Sequence, residues 1–331
     1  MKIYITMPNN ATTESFLTPR AMAELKKLGE VICNPDDRPL EVEEVLAWAK
    51  DADVIMTGWG TCKYTKADIE KFPNLKLIAH TGGTVAPVVD ADVYETGIQV
   101  ISGNDVFAKS VAEGALCYTL AALRRLEHYQ DMVRDGGWRP DVFQNRGLFG
   151  KKLGIVGFGA IARHFLELIR WFDCEVLIYS SHLTDEAAAQ YNARTASLEE
   201  IFSECEIISI HASKTPRTTG MVTRELLQSM KQDALLVNTA RGSVIDEPAM
   251  FEMLLAGRIY AALDVFDVEP PEENAPIRKC KNALLMPHMG GPTMDIRGIV
   301  TLELSKDIAR LQKGEKLLNS IDANAAMRMS R

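Results

Sequence analysis

A chain of 331 residues is long enough for two domains, and 47% hydrophobic residues is ordinary for a globular protein. The formal net charge of −8 argues against a nucleic-acid binder, which would need a basic face, and it means that an anionic ligand must be met by locally gathered positive charge. Six scattered cysteines, with no CxxC pair and no histidine placed to complete a zinc site, point to reduced thiols in a cytoplasmic protein without a structural metal.

The N-terminal run "MKIYITMP" is strand-like and too short for a signal sequence. From there strands and helices alternate. Strands are predicted at 2–6, 30–34, 53–58 and 75–80, and helices at 18–29, 41–52 and 66–72. Short buried strands separated by amphipathic helices predict a parallel sheet covered on both faces. An apolar-periodic segment at 106–136 then reads as one helix of about thirty residues, long enough to link domains or to pack on a partner. Its apolar core, "ALCYTLAAL" at 115–123, is too short to span a bilayer. A second α/β series begins at 153, with strands expected at 153–157, 175–180, 206–210, 234–238, 259–264 and 283–286, and a last helix at 297–314. The restart places one domain at 104–290, and the two ends of the chain, 1–103 and 291–331, form the other.

The restart itself is "GFGAIA", a G-x-G-x-x-A turn between an apolar strand and an amphipathic helix. Gly157 permits the tight turn, Gly159 leaves room for a pyrophosphate, and Ala162 lets the helix pack on its strand. The free N–H groups of the helix start, at Ala160 and Ile161, would meet the phosphates. Further on, three stretches each set polar side chains after an apolar strand: "LLVNTARGSVIDE" at 235–247, "AALDVFDVEPP" at 261–271 and "LLMPHMGGPT" at 284–293. Arg241 offers a planar cation suited to a carboxylate. His288 is suited to proton transfer near neutral pH, from a reference pKa of ~6.5, and Glu269 could pair with it and favour its imidazolium form.

With these stretches in view, and with "SVAEGALCYTLAALRRL" and "HASKTPRTTGMV" beside them, the chain resembles the D-isomer-specific 2-hydroxyacid dehydrogenases over essentially its whole length. The resemblance implies an α/β fold of two doubly wound parallel sheets, a Rossmann dinucleotide-binding domain inserted into a flavodoxin-like substrate domain, with a cleft between them. It implies that Arg241 binds the substrate carboxylate and polarises the 2-oxo group, that His288 exchanges the proton, and that Glu269 holds His288. It places Thr239, Ala240 and Asp264 at the nicotinamide, with Asp264 on the carboxamide. Ala212, Ser213 and Thr218 belong to the loop on the adenosine side, behind His211. It also implies a homodimer through the long helix 106–136.

Two stretches depart from the family. The acid expected after the second strand of the dinucleotide domain falls on Ser180, followed by Ser181. Without a carboxylate to repel a 2′-phosphate, the cofactor is expected to be NADP ahead of NAD, with Arg163 as a candidate phosphate partner. The second is "AHTGGTVAPVV" at 79–89, where the acidic run that commonly follows the glycines is missing. Gly82, Gly83 and Thr84 can still present N–H groups as a nest for the substrate carboxylate, and His80 and Trp59 end neighbouring strands. The expected activity is hydride transfer between NAD(P)H and a 2-oxo acid, like a glyoxylate or hydroxypyruvate reductase. The alternatives are a short-form phosphoglycerate dehydrogenase, short because no regulatory domain follows residue 331, and a non-catalytic dinucleotide-sensing protein resembling the corepressors of this fold. No nucleic acid or membrane partner is expected.

Overall fold

The computed structural model describes residues 1–330, in two compact units. One unit joins Met1–Ala108 to Pro292–Arg331, and the other is Lys109–Gly291.

The first unit is built on five parallel strands: β1 (Lys2–Ile5), β2 (Glu30–Cys33), β3 (Val54–Thr57), β4 (Leu77–His80) and β5 (Gln99–Ser102), in the order β2-β1-β3-β4-β5. β3 and β4 are buried along their whole length, as a sheet covered on both faces requires. The order reverses direction between β1 and β3, and the loops after those two strands therefore flank a crevice at the sheet's C-terminal edge. The helix Arg297–Lys313 returns from the far end of the chain to cover one face, burying Val300, Leu304 and Ile308 against Ile3, Ile5 and Ile101.

The second unit has seven parallel strands: β6 (Lys152–Val156), β7 (Glu175–Tyr179), β8 (Ala193–Thr195), β9 (Ile207–Ile210), β10 (Leu235–Asn238), β11 (Tyr260–Leu263) and β12 (Ala283–Leu285). Their order is β12-β11-β10-β9-β6-β7-β8, so the reversal lies between β6 and β9. Gly154 pairs with Ile208 on β9 and Leu177 on β7. β8 and β5 carry no sequence signal strong enough to have been expected, being short and half polar.

The long helix of the sequence reading is two helices, Asn104–Arg124 and Leu126–Arg134. Arg125 stands between them at φ +53°, a left-handed conformation that ends the helical hydrogen-bond ladder. The apolar periodicity runs through the break because both helices keep an apolar side. By length and composition the first of them is apolar enough to cross a membrane, which the shorter apolar run in its sequence does not suggest. In this structure Ala112, Ala115, Tyr118 and Leu123 are buried against β6 and β7.

Candidate active site

In the larger unit, the glycine turn sits at the β6/β9 reversal. Gly157 has φ +98°, and a Cβ there would lie 2.7 Å from the Ala212 N and 2.8 Å from its Cα. Backbone handedness and close approach both demand glycine. Gly159 is different. It caps the helix Ala160–Ile169, and among the described residues nothing beyond its chain neighbours would lie within 4 Å of a Cβ on it. Its small size answers to nothing inside the chain, so the space in front of the N–H groups of Ala160 and Ile161 is open for a ligand phosphate. Ala162 is fully buried and packs with Phe165 beneath β6.

Behind the turn, His211 is buried, meets Phe165 at a tilt with ring centroids 5.2 Å apart, and places Nε2 2.9 Å from the Ser209 hydroxyl. Among the described residues its Nδ1 has no hydrogen-bond partner, and burial pushes its pKa down to about 4. In the following loop Ala212 is buried and Ser213 exposed. Thr218 is occupied within that loop: its hydroxyl donates to the Ser213 carbonyl at 2.6 Å and accepts the Thr215 N–H at 2.8 Å. It shapes the loop. Past β7, Ser180 is half-buried and accepts the His182 N–H at 3.5 Å, while Ser181, His182 and Arg163 are exposed.

The loops after β10, β11 and β12 carry the three polar residues that the sequence singles out. Asn238, at the end of β10, accepts the Ala240 N–H and donates to the Arg241 carbonyl, both at 3.0 Å, which folds the Thr239–Arg241 loop back on its strand. Thr239 is buried beneath it. Arg241 donates to the Ala240 carbonyl at 2.6 Å. Its burial pushes its pKa below the ordinary arginine value, and the Glu269 carboxylate pulls it back up. A Cβ on Gly242 would fall 2.0 Å from the Phe266 carbonyl carbon, so only glycine lets this loop rest on the one after β11.

Glu269 joins that second loop to the third. Its Oε1 accepts the Phe266 N–H at 2.9 Å, and its Oε2 lies 2.6 Å from His288 Nδ1. A carboxylate can only accept, so Nδ1 carries a proton and Nε2 is the nitrogen left to face a reactant. Glu247 fixes the same loop by accepting the Asp267 N–H at 2.7 Å.

His288 itself has φ +53°, a conformation that a non-glycine residue holds only when its neighbours impose it. Asp264 imposes it. Its carbonyl accepts the His288 N–H at 2.9 Å, and its carboxylate accepts those of Met289 at 2.7 Å and Gly290 at 2.8 Å. Asp264 is buried, and burial raises its pKa against the pull of those two N–H groups. The sequence reading sets this acid on the nicotinamide carboxamide; here both oxygens hold backbone. The helix Asn104–Arg124 braces the other side, with Gly114 packed on Gly290 and the Ser110 hydroxyl donating to the Gly291 carbonyl at 3.2 Å. Asp264 and Gly114 as supports of the histidine loop were not legible in the sequence, since both act on backbone.

In the smaller unit, the Gly82–Thr84 loop follows β4. The Gly103 N–H donates to the carbonyls of His80 and Gly82, at 3.0 and 3.1 Å, and the Ser102 hydroxyl to that of Gly83 at 3.5 Å. The carbonyls are tied inward, and among the described residues no acceptor meets the N–H groups of Gly82, Gly83 and Thr84. The Thr84 side chain is engaged elsewhere, donating to the Ser330 carbonyl at 2.9 Å. His80 lies beneath the loop. It is buried, its Nδ1 is 2.9 Å from the Thr57 hydroxyl, and a Cβ on Gly82 would come within 2.3 Å of its Nε2. Burial pushes its pKa down to about 4.

Residues 116–290 match the signature of the D-isomer specific 2-hydroxyacid dehydrogenases, NAD binding domain. The hydroxypyruvate reductase of Thermotoga maritima is 32% identical over 273 residues, which cover 81% of this chain and 88% of that one. This chain belongs to the D-isomer specific 2-hydroxyacid dehydrogenase family. Glyoxylate reductase of Thermococcus litoralis is 33% identical over 279 residues, 82% of this chain and 84% of its own. D-3-phosphoglycerate dehydrogenase of Methanocaldococcus jannaschii is 33% identical over 304 residues; they make up 90% of this chain and 57% of that longer one. A solved structure from Polaromonas sp. JS6 66, provisionally assigned to the same dehydrogenases, superposes with a TM-score of 0.79 at 27% identity, covering 97% of this chain and 99% of that one. Family membership gives the larger unit its place as a nicotinamide-dinucleotide domain, and the open face of Gly159 fits that ligand.

Proposed function

We propose that this chain interconverts a 2-oxo acid and a D-2-hydroxy acid with NAD(P)H. The observation that carries the reading is the 2.6 Å pair of Glu269 and His288, with the Arg241 loop resting on the loop that holds Glu269. The bound nicotinamide supplies or takes the hydride at the substrate's second carbon. Arg241 holds the substrate carboxylate and draws electron density from the 2-oxo group, helped by a half-buried setting in which water competes weakly. His288 gives a proton from Nε2 to the carbonyl oxygen during reduction and takes it back during oxidation, while Glu269 fixes the ring through Nδ1. The free N–H groups of Gly82, Gly83 and Thr84 suit a carboxylate oxygen.

The cofactor reading favours NADP, since β7 is followed by Ser180 and Ser181, with no acid there to repel a 2′-phosphate. Gly157, Gly159, Ala160 and Ile161 take the pyrophosphate, Ala212 and Ser213 the adenosine side, and Thr239 and Ala240 the nicotinamide. The six cysteines are unpaired, which suits the reducing cytoplasm. A homodimer is supported by one apolar run in the larger unit: Leu126, Val133, Trp138, Val142 and Phe143 are each more than half exposed. An isologous contact would cover them. All five lie beyond the break at Arg125, so the proposed interface centres on the second helix and its following arm.

The test is a steady-state screen of glyoxylate, hydroxypyruvate, pyruvate and bulkier 2-oxo acids with both reduced cofactors. Tight NAD(P)H binding with no turnover across that panel would overturn the catalytic reading. Light scattering on a sizing column measures the dimer; a monomer at micromolar concentration overturns that part.

A further inference from the structure

Resting on the dehydrogenase reading, we infer that Arg297, held between Phe16 and Trp59, binds a second anionic group on the substrate side chain and so selects among 2-oxo acids. The three residues belong to the smaller unit. Phe16 follows β1, Trp59 follows β3, and the sheet order reverses between those two strands, which is where open α/β sheets take ligands. A cavity of about 400 Å³ opens on the far side of Phe16 and Trp59, lined also by Met7, Pro8, Pro39 and the acidic Asp37; Arg297 is not part of its wall, so the anion is met on the Arg297 side of the two rings.

The guanidinium carbon of Arg297 lies 5.2 Å from the centre of the Trp59 ring and 5.7 Å from that of Phe16. Its Nε donates to the Pro292 carbonyl at 3.3 Å and its Nη1 to the Ser15 hydroxyl at 3.3 Å. Among the described residues no carboxylate stands within 4 Å of it. It is half-buried, so its charge is only partly screened by water, and aromatic faces attract it without neutralising it. Two of its five N–H groups are engaged; the rest are available to an anion.

Contacts link this cation to the candidate carboxylate nest. Trp59 meets Phe107 edge-on at 6.0 Å between centroids, and Phe107 packs under the loop, 3.4 Å from where a Cβ on Gly83 would be. Gly82 and Trp59 each stand two residues past the ends of adjacent strands, β4 and β3. Trp59 is 47% exposed, unusual for its size, whereas Phe16 behind it is only 2% exposed. One sheet edge thus offers free N–H groups, an aromatic wall and an unpaired guanidinium in series. A 2-oxo acid seated by its carboxylate on the nest would extend along the wall toward the cation. In a chain of net charge −8, such a local cation is what a doubly anionic substrate requires.

The test compares pairs of substrates that differ in the distal charge. They are oxaloacetate with 2-oxobutanoate, 2-oxoglutarate with 2-oxopentanoate, and 3-phosphohydroxypyruvate with hydroxypyruvate, each measured on the wild type, Arg297→Leu and Arg297→Lys. For at least one pair, kcat/KM of the wild type should favour the charged member. Arg297→Leu should cut that preference tenfold or more, mainly through KM, and Arg297→Lys should restore part of it. The responding pair tells carboxylate from phosphate. Equal losses on both members of every pair, or no loss, would mean that Arg297 only props Trp59 and would overturn the inference. Should the leucine variant fail to fold, the lysine variant decides, because a weaker charge preference with unchanged NAD(P)H affinity is expected of it alone. No turnover of any 2-oxo acid by a wild type that still binds NAD(P)H overturns the dehydrogenase reading itself, and this inference with it.

Discussion

His288 Nδ1 lies 2.6 Å from Glu269 Oε2, and the other oxygen of that carboxylate accepts the Phe266 N–H at 2.9 Å. The acid thus fixes the imidazole and is itself fixed by its own loop, which leaves Nε2 alone to exchange a proton. His288→Gln removes the exchangeable proton and should lower kcat by roughly 10²–10⁴. NAD(P)H affinity, read from fluorescence titration, should hold within about threefold, since the side chain touches no part of the glycine turn. Glu269→Gln keeps a similar shape and loses the charge; its kcat should fall less than that of the histidine variant. Normal turnover in His288→Gln would remove the residue from the reaction.

The two glycines of the turn should separate cleanly. Gly157→Ala forces a Cβ to within 2.8 Å of Ala212 backbone at φ +98°, so folding itself suffers. A loss of several kcal/mol, roughly 2–4, is expected in urea unfolding. Gly159→Ala meets no protein atom and should leave stability nearly unchanged while raising the dissociation constant for NAD(P)H at least tenfold. If the second variant bound nucleotide as well as the wild type, the open face of Gly159 would not be where the phosphates lie.

Ser180 offers a direct measure of cofactor choice. It stands half-buried just past β7, with the exposed Ser181 and His182 after it. Ser180→Asp installs a carboxylate that repels a 2′-phosphate and can accept from ribose hydroxyls. The ratio of kcat/KM for NADPH over NADH should fall by roughly tenfold to a hundredfold, on the scale of one to three kcal/mol for a close like-charge contact. An unchanged ratio would place the adenosine ribose elsewhere.

The order of elements and the three polar residues were legible because they leave side-chain signals: apolar runs of strand length, glycines at fixed spacing, and Arg241, Glu269 and His288 after successive strands. What escaped the sequence acts through the backbone. Nothing in the composition of 104–136 marks Arg125 as a break, since arginine is a good helix former and its left-handed φ is set by surroundings. Asp264 reads as a residue aimed at a ligand, whereas in the fold its oxygens face the N–H groups of Met289 and Gly290. The loop-holding bond of the Thr218 hydroxyl to the Ser213 carbonyl is likewise visible only in the fold.

Asp264 therefore gives a prediction that divides two roles. Asp264→Asn sets an amide against one of two backbone donors, which leaves a buried N–H unsatisfied and costs about 1–3 kcal/mol. If the residue chiefly holds the His288 loop, kcat should fall while the dissociation constant for NAD(P)H changes little. If it chiefly holds the nicotinamide, the nucleotide affinity should fall first. Gly290→Ala is the companion, because its Cβ would lie 2.7 Å from Asp264 Oδ2 and push the same loop out of place.

Stability should carry the mark of two buried neutral histidines. His80, under the Gly82–Thr84 loop, and His211, behind the glycine turn, both have pKa values pushed down to about 4 by burial. In the unfolded chain each returns to ~6.5. Above that value neither state holds the proton, so neither histidine makes stability depend on pH. As pH falls below ~6.5 the unfolded chain takes up protons that the native state refuses, and stability drops until the native residues titrate near 4. Each should cost about 2 kcal/mol by pH 5, where most carboxylates are still ionised. Urea unfolding from pH 8 to 5 should thus be flat and then decline. His80→Gln should shallow the decline by about half, because glutamine can meet the same neighbours without titrating. It should also raise KM for the 2-oxo acid more than it lowers kcat, since the ring sets the loop that the substrate carboxylate would use. A wild type as stable at pH 5 as at pH 8 would mean that these two rings are not buried in neutral form.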